Sequence, residues 1–430
     1  MRKSPIHGDP EPSLVARLAR SLPCVLGREC RALLRSADLV ARMKGTLRVL
    51  FSFLILIGVF SVLGFRAVLQ DGRRRERQPP EAPPVNATLL RLAAVEQREA
   101  ELQKDVDDLL DGTFIFGGGG AGGRPRTNSD WRRENHLDVL RRHDMRFSHR
   151  LRAPKDYRAL PDFRRPLRDW FRRRRFHPGI MSELVEHIKR PIDRHHGRLD
   201  TEAERYGSCA VVGNSGILLN NDHGELIDGH ELVIRLNNAR INGYGHKVGS
   251  KTSLSFVNSN ILHLCARRQD CFCHPYDENV AMVMYICQAA HFLDYAVCNS
   301  SHKAPLLITD ARFDMLCARI VKYYSLKRFV ETTGKAPEEW ATAHDARMFH
   351  YSSGMQAVML AVGICDRVSV FGFGKSPEAK HHYHTNQKAE LDLHDYEAEY
   401  DLYRDLVEQP QVIPFLQDSG IKFPPIVFYH

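Results

Sequence analysis

Two histidine-bearing stretches near the C-terminal end could move protons at neutral pH. His381-His382-Tyr383-His384 sets three imidazoles within four residues, and His394 stands five residues before Glu399. Imidazole titrates near neutrality, so either stretch suits general acid–base work. Zinc binding is the competing chemistry for such a patch. Cys265, Cys271, Cys273 and His274 form a second candidate set. Neither set has the paired Cys-x-x-Cys spacing of a structural zinc site, and oxidised cysteines explain the second more simply.

Three further stretches could hold a phosphorylated ligand. Cys209-Ala210-Val211-Val212 runs into Gly213-Asn214-Ser215-Gly216, where two glycines permit a tight turn and the next helix start offers N–H groups to an anion. The three-glycine spacing of a dinucleotide site is missing, which discounts a nicotinamide cofactor. Arg235-Leu236-Asn237-Asn238-Ala239 places amides at the end of another strand, where Asn can donate and accept at once. A turn-forming Asn pair reads the same way. Ser352-Ser353-Gly354 opens a helix, for which a plain capping role is the default. The strand after that helix leads to Phe371-Gly372-Phe373-Gly374.

The elements that must position these groups are legible from residue 206 onward. Cys209–Val212, Glu231–Leu236, Ser253–Val257, Val280–Ile286, Pro305–Thr309 and Arg367–Phe371 read as strands. Ser353–Gly363 and Asp395–Glu408 read as helices. Such alternation predicts an α/β domain with helices flanking a mostly parallel sheet, and ligands beyond the strands' carboxyl ends. The chain of 430 residues carries a net charge of +9, but residues 207–430 hold 20 basic and 25 acidic side chains. A nucleic-acid enzyme usually carries its positive charge on the folded domain. No nucleic-acid partner is expected.

The first half reads as an anchor and a stem. Residues 1–48 form a tail, and Val49–Phe65 is a charge-free run of 17 residues between Arg48 and Arg66. That is near the lower limit for crossing a bilayer, and no clear cleavage site follows it. Residues 66–206 then form a stem and basic linker, and residues 207–430 the catalytic domain. The sequons at Asn86 and Asn299, and eight of ten cysteines at Cys209 or beyond, suit an oxidising lumen. Within the stem, Leu89 to Leu110 has helical spacing. It would either pair with a second copy, making a homodimer, or stand solvated.

In order, the five chemical stretches resemble the sialyltransferases, glycosyltransferase family 29. The large sialyl motif matches Cys209 to about Ser253, and the small motif Ser352-Ser353-Gly354 through Phe373. His382-Tyr383 matches motif III, and His394-x4-Glu399 the very small motif. The resemblance implies a variant of the GT-A glycosyltransferase fold and a disulfide between Cys209 and Cys365. It implies that Asn214, Ser215, Asn237, Ser353, Gly354, Gly372 and Gly374 line a CMP-sugar. His394 would be the general base, and His382 would stabilise the departing phosphate.

The implied reaction is metal-independent inverting transfer of a sialic-acid-like sugar from a CMP donor to a terminal galactose-type glycan. No cofactor is expected, and the place would be the Golgi membrane, with a single type II span. The one Asp-x-Asp, Asp105-Val106-Asp107, falls in the charged stem helix and reads as structural. Two departures from animal members, Gly243-Tyr244-Gly245-His246-Lys247 and His384-Thr385, look like the plant sialyltransferase-like branch. They keep other readings open: CMP-Kdo, a UDP-hexose such as UDP-galactose, or an inactive Golgi scaffold. His384 also leaves the phosphate role open among His381, His382 and His384.

Overall fold

Seven short apolar runs form a parallel sheet in the computed structural model of the chain: β1 Cys209–Val212, β2 Leu232–Leu236, β3 Leu254–Asn258, β4 Ala281–Tyr285, β5 Leu306–Ile308, β6 Val368–Phe371 and β7 Ile426–Tyr429. The structure describes residues 87–114, 163–198, 204–262, 273–344, 349–385 and 394–430, together with Ile57. Asn86, Cys265, Cys271 and, apart from Ile57, the apolar run Val49–Phe65 lie outside them. Among the described residues, no helix is long and apolar enough to cross a membrane.

Across the sheet the order is β5-β4-β3-β2-β1-β6-β7, and every neighbouring pair is parallel. The chain steps outward from β1 to β5, then crosses back to lay β6 on the other side of β1. Connections leaving β1 and β6 therefore diverge, which opens a crevice at their carboxyl ends. The inner strands are buried on both faces, as helix-covered parallel sheets require, while the edge strands β5 and β7 are partly exposed. Cys209, Val211, Ile234 and Val283 face the large core, while Ala210, Val212 and Val233 face a second cluster and Met282 and Met284 a third.

Eight helices matter for the site or its support. In chain order they are α1 Ala87–Ala93, α2 Glu99–Asp111, α3 Arg164–Arg172 and α4, which runs over 180–195 through a π-helical stretch at Val185–Lys189. Then come α5 His291–Ser301, α6 Ala311–Thr333, α7 Ser353–Ile364 and α8 Tyr396–Glu408. Helix α7 is buried all round, which is why its sequence is almost wholly apolar. Ser352 caps it by accepting from the Met355 N–H at 3.0 Å, and Asp395 caps α8 by accepting from Ala398 at 3.1 Å.

The stem reading changes here. Leu89 to Leu110 is two helices, not one, and neither stands alone. Leu89 and Ala93 enter the main core, and Val106 and Leu109 join Leu167 and Trp170 in the cluster that holds Met282 and Met284. Lys322 Nζ donates to Val95 O at 2.9 Å, and Arg174 pairs with Glu96. Apart from Val95, which is half exposed, the apolar positions that a dimer would have used pack wholly or partly against the chain's own domain, and Val85–His430 forms one compact unit. Of the seven arginines from Arg164 to Arg175, Arg173 pairs with Asp310 and Arg174 stacks over Trp170.

Cys209 and Cys365 are bonded across 156 residues, tying the first strand to the end of α7. A cross-link over so long a loop removes much of the unfolded chain's freedom. A second bond, Cys273–Cys298, joins cysteines whose pairing the sequence left open; Cys287 and Cys317 are free thiols.

Candidate active site

The crevice between β1 and β6 is built by close backbone approach. Gly213 donates to Phe371 O at 2.8 Å, and a Cβ added to Gly213 would lie 2.6 Å from Gly372 O. Gly372 has φ +75°, a left-handed conformation that glycine adopts without strain. Ser215 N donates to Gly372 O at 3.3 Å and Ser215 Oγ to Gly374 O at 2.9 Å. The Ser215 hydroxyl thus holds the two loops together, through a main-chain carbonyl that has no residue signature. Phe373 fills the floor, within 2.9 Å of the Cβ that Gly213 lacks and 2.8 Å of the one Gly354 lacks.

Both candidate nucleotide-binding asparagines sit at strand ends. Asn214 Oδ1 is buried with no hydrogen-bond partner, an acceptor left for a ligand hydroxyl or amino group. Asn237 adopts φ +53° and its Oδ1 accepts from the Asn258 N–H at 2.9 Å. Because a backbone N–H can only donate, that bond fixes the amide's orientation and turns its NH2 half away from the strand. These residues fit a nucleotide: one buried acceptor, one oriented amide and two glycine-lined loops.

Motif III docks on the same loop. Tyr383 N donates to Asn214 O at 2.9 Å, and Tyr383 Oη donates to Arg240 O at 2.5 Å. The neighbouring histidines stack: the His381 and His382 ring centres are 4.5 Å apart, and those of His382 and His384 5.8 Å. Tyr396 bridges onward, 5.5 Å from His381 and 5.4 Å from His394. The fold therefore gathers both histidine stretches, ten residues apart in sequence, around one tyrosine at the start of α8. Asp105-Val106-Asp107 lies away from them on α2, with Val106 in the core.

His394 has a defined tautomer. Its Nδ1 lies 2.6 Å from the His350 carbonyl, which can only accept, so Nδ1 carries the proton and Nε2 keeps its lone pair. Burial, helped by the His350 and His381 rings, pushes the imidazole down to about 3, so it is neutral at working pH. A neutral imidazole with Nε2 unprotonated is the form a general base needs. His350 itself was missed in the sequence, because a backbone carbonyl has no residue signature. Burial holds its ring down to about 4.

Glu399 does not face the ligand side. It is 1% exposed, accepts from Ser352 N and Ser352 Oγ at 2.6 Å each, and takes the Tyr403 hydroxyl at 3.2 Å. It thereby ties α8 to the N-terminus of α7, where Ser353 and Gly354 stand. Burial lifts its carboxyl from the ordinary 4.5 to about 7. A carboxyl raised on folding adds stability that is full below its unfolded value and lost as pH rises through its folded one. Glu399→Gln removes that titration. Its stability relative to the unchanged chain should therefore rise between about pH 5 and pH 8, by an amount on the order of 3 kcal/mol. Thermal unfolding across that range checks it; a difference flat with pH contradicts the buried carboxyl.

Comparison with known proteins gives the following. The sequence model described as "Glycosyltransferase family 29 (sialyltransferase)" matches residues 154–411. The "Sialyltransferase-like protein 1" of Oryza sativa is 52% identical over 412 residues, covering 90% of this chain and 100% of the relative. A β-1,6-galactosyltransferase of Arabidopsis thaliana is 53% identical over 351 residues, covering 80% of this chain and 87% of the relative. A Gallus gallus CMP-N-acetylneuraminate-β-galactosamide-α-2,3-sialyltransferase is 28% identical over 203 residues, covering 45% and 54%.

Proposed function

Because the chain belongs to glycosyltransferase family 29, we propose that its crevice holds a nucleotide sugar and passes the sugar to a hydroxyl of a glycan, with His394 as general base. The observation that carries this is the bond from His394 Nδ1 to the His350 carbonyl, which leaves Nε2 to take a proton. In the reaction the acceptor hydroxyl gives its proton to His394 Nε2. The freed oxygen attacks the anomeric carbon in line while the bond to the phosphate oxygen breaks. The configuration inverts, and the electron pair leaves on the nucleotide. His382, with backbone N–H groups of the glycine loops, steadies that charge. The parallel sheet serves as a variant of the GT-A fold, and the step needs no metal.

For the donor we put a UDP-hexose, galactose first, ahead of a CMP-linked sialic-acid-like sugar. The relative named as a galactosyltransferase is 53% identical over most of both chains, while the one named as a sialyltransferase is 28% identical over less than half of this chain. The changed stretches at Gly243–Lys247 and His384-Thr385 agree with an altered donor. The second reading keeps the support of the sialyl motifs themselves. In either case the acceptor is a glycan ending in a galactose-type sugar, and the enzyme sits in the Golgi membrane with its domain lumenal. Val49–Phe65 and the two sequons support that place.

The test is calorimetric titration of residues 85–430 with CMP and with UDP, with and without a chelator, followed by turnover of UDP-galactose and CMP-sialic acid. Preference for UDP with release from UDP-galactose supports the first reading. Tight CMP binding unmoved by chelator, with turnover of CMP-sialic acid, replaces it by the second. Binding of neither nucleotide overturns both and leaves a scaffold.

A further inference from the structure

The residue whose carbonyl orients His394 is itself held by a side chain from β4, three strands along the sheet from β1. His350 Nδ1 lies 2.8 Å from Tyr351 O, so it carries the ring proton and leaves Nε2 as an acceptor. The Tyr285 hydroxyl, at the carboxyl end of β4, bonds to that Nε2. Tyr285 is 3% exposed, and its ring packs 5.2 Å from His350 and 5.4 Å from Tyr351. Two residues on, Glu399 grips the Ser352 N–H and hydroxyl. The segment 350–352 is thus clamped at both ends, and its His350 carbonyl accepts the hydrogen bond from His394 Nδ1.

From this we infer that Tyr285 and His350 are positioning residues that set the tautomer of the base. The relay runs one way. Tyr285 O–H donates to His350 Nε2, His350 Nδ1–H donates to Tyr351 O, and His394 Nδ1–H donates to His350 O. Removing the Tyr285 hydroxyl leaves the His350 ring held only through Nδ1–H to the Tyr351 carbonyl, with no donor to fix it from the β4 side. The peptide carbonyl then loses its fixed direction, and the His394 proton can exchange to Nε2, where the imidazole is no longer a base. The same strand end brings β4 beside Asn258, whose N–H orients Asn237. Base and donor amide are therefore aligned from adjacent strand ends.

This inference rests on His394 as base, and its test separates the two. In residues 85–430 with ¹⁵N-labelled histidine, the His394 resonances (assigned by their loss in His394→Asn) should show Nδ1 protonated and Nε2 bare. In Tyr285→Phe the proton should spread to Nε2, with CMP and UDP affinities within about twofold and unfolding still cooperative. Turnover with the donor that proves active should fall roughly tenfold, with the donor KM unchanged, as expected for a smaller fraction of competent base. His350→Phe should cause the same loss, and adding Tyr285→Phe to it should do nothing more, because the Tyr285 hydroxyl, whose other partner is the Cys287 thiol, reaches His394 through His350. An unchanged His394 tautomer in Tyr285→Phe, or additive effects in the double variant, would overturn the relay. A shifted tautomer with full turnover would uphold the relay and remove His394 from the chemistry.

Discussion

A chain that begins at residue 115 will unfold at a markedly lower temperature than one that begins at residue 85, although both contain the whole span matched by the family. The reason is the burial of α1 and α2. Leu89 is 5% exposed, Ala93 and Val106 2% each, and Leu109 is fully buried. Burying a large aliphatic side chain is worth roughly 1.5–3 kcal/mol, so the three large ones together contribute on the order of 6 kcal/mol. Global stabilities are about 5–15 kcal/mol, so the loss is a large fraction of the total. Removal also uncovers their partners Leu167 and Trp170 and breaks the bonds from Lys322 to Val95 O and Arg174 to Glu96. With about 1.5 °C for each kcal/mol in a domain of roughly 300 residues, the melting point should fall by roughly 10 °C, or the shorter chain should aggregate. Scanning calorimetry on the two chains decides it; equal melting points would mean that α1 and α2 are dispensable ornaments.

That prediction also marks where sequence reasoning stopped short. Leu89 to Leu110 announces a helix with an apolar stripe, but a stripe does not name its partner. A second copy and the chain's own core satisfy the same periodicity, and only the tertiary fold chooses. The strands were easier. β1 and β4 are short, wholly apolar and bounded by turn residues, β2 is apolar but for Arg235, and all three form within a residue or two of where the pattern places them. β7 went unread because Pro424 and Pro425 precede four residues at the chain's end, too short a run to stand out. Helix α6, the longest at 23 residues, was missed for a different reason. It buries residues on several sides, among them Phe313, Tyr324 and Phe329, which blurs the period of 3.6 that marks a surface helix.

The site shows the same division. His394, Asn214, Asn237 and the paired glycines are visible because nucleotide binding and proton transfer would call for those residue types, and the resemblance to a known family fixed their order. What surrounds them was not visible. The Ser215 hydroxyl turned out to hold the Gly374 carbonyl, and Glu399 to hold the start of α7 from within the core. Tyr285 and His350 act through ring nitrogens and a peptide oxygen. A main-chain carbonyl is the same in every residue, so no motif could point to it.

The most direct measurement is His394→Asn in residues 85–430, with nucleotide affinity and turnover measured on the same preparation. Asn is the apt replacement because its side-chain NH2 can still donate to the His350 carbonyl, as Nδ1–H does now, while nothing remains to accept a proton at the place of Nε2. The Asp395 cap and the Tyr396 ring stay in place, so α8 should fold as before. General-base catalysis contributes typically 10²–10⁴-fold, so turnover should fall by about that factor while the affinity for CMP or UDP stays within about twofold. Turnover close to that of the unchanged chain, or a loss confined to nucleotide binding, would contradict His394 as the base.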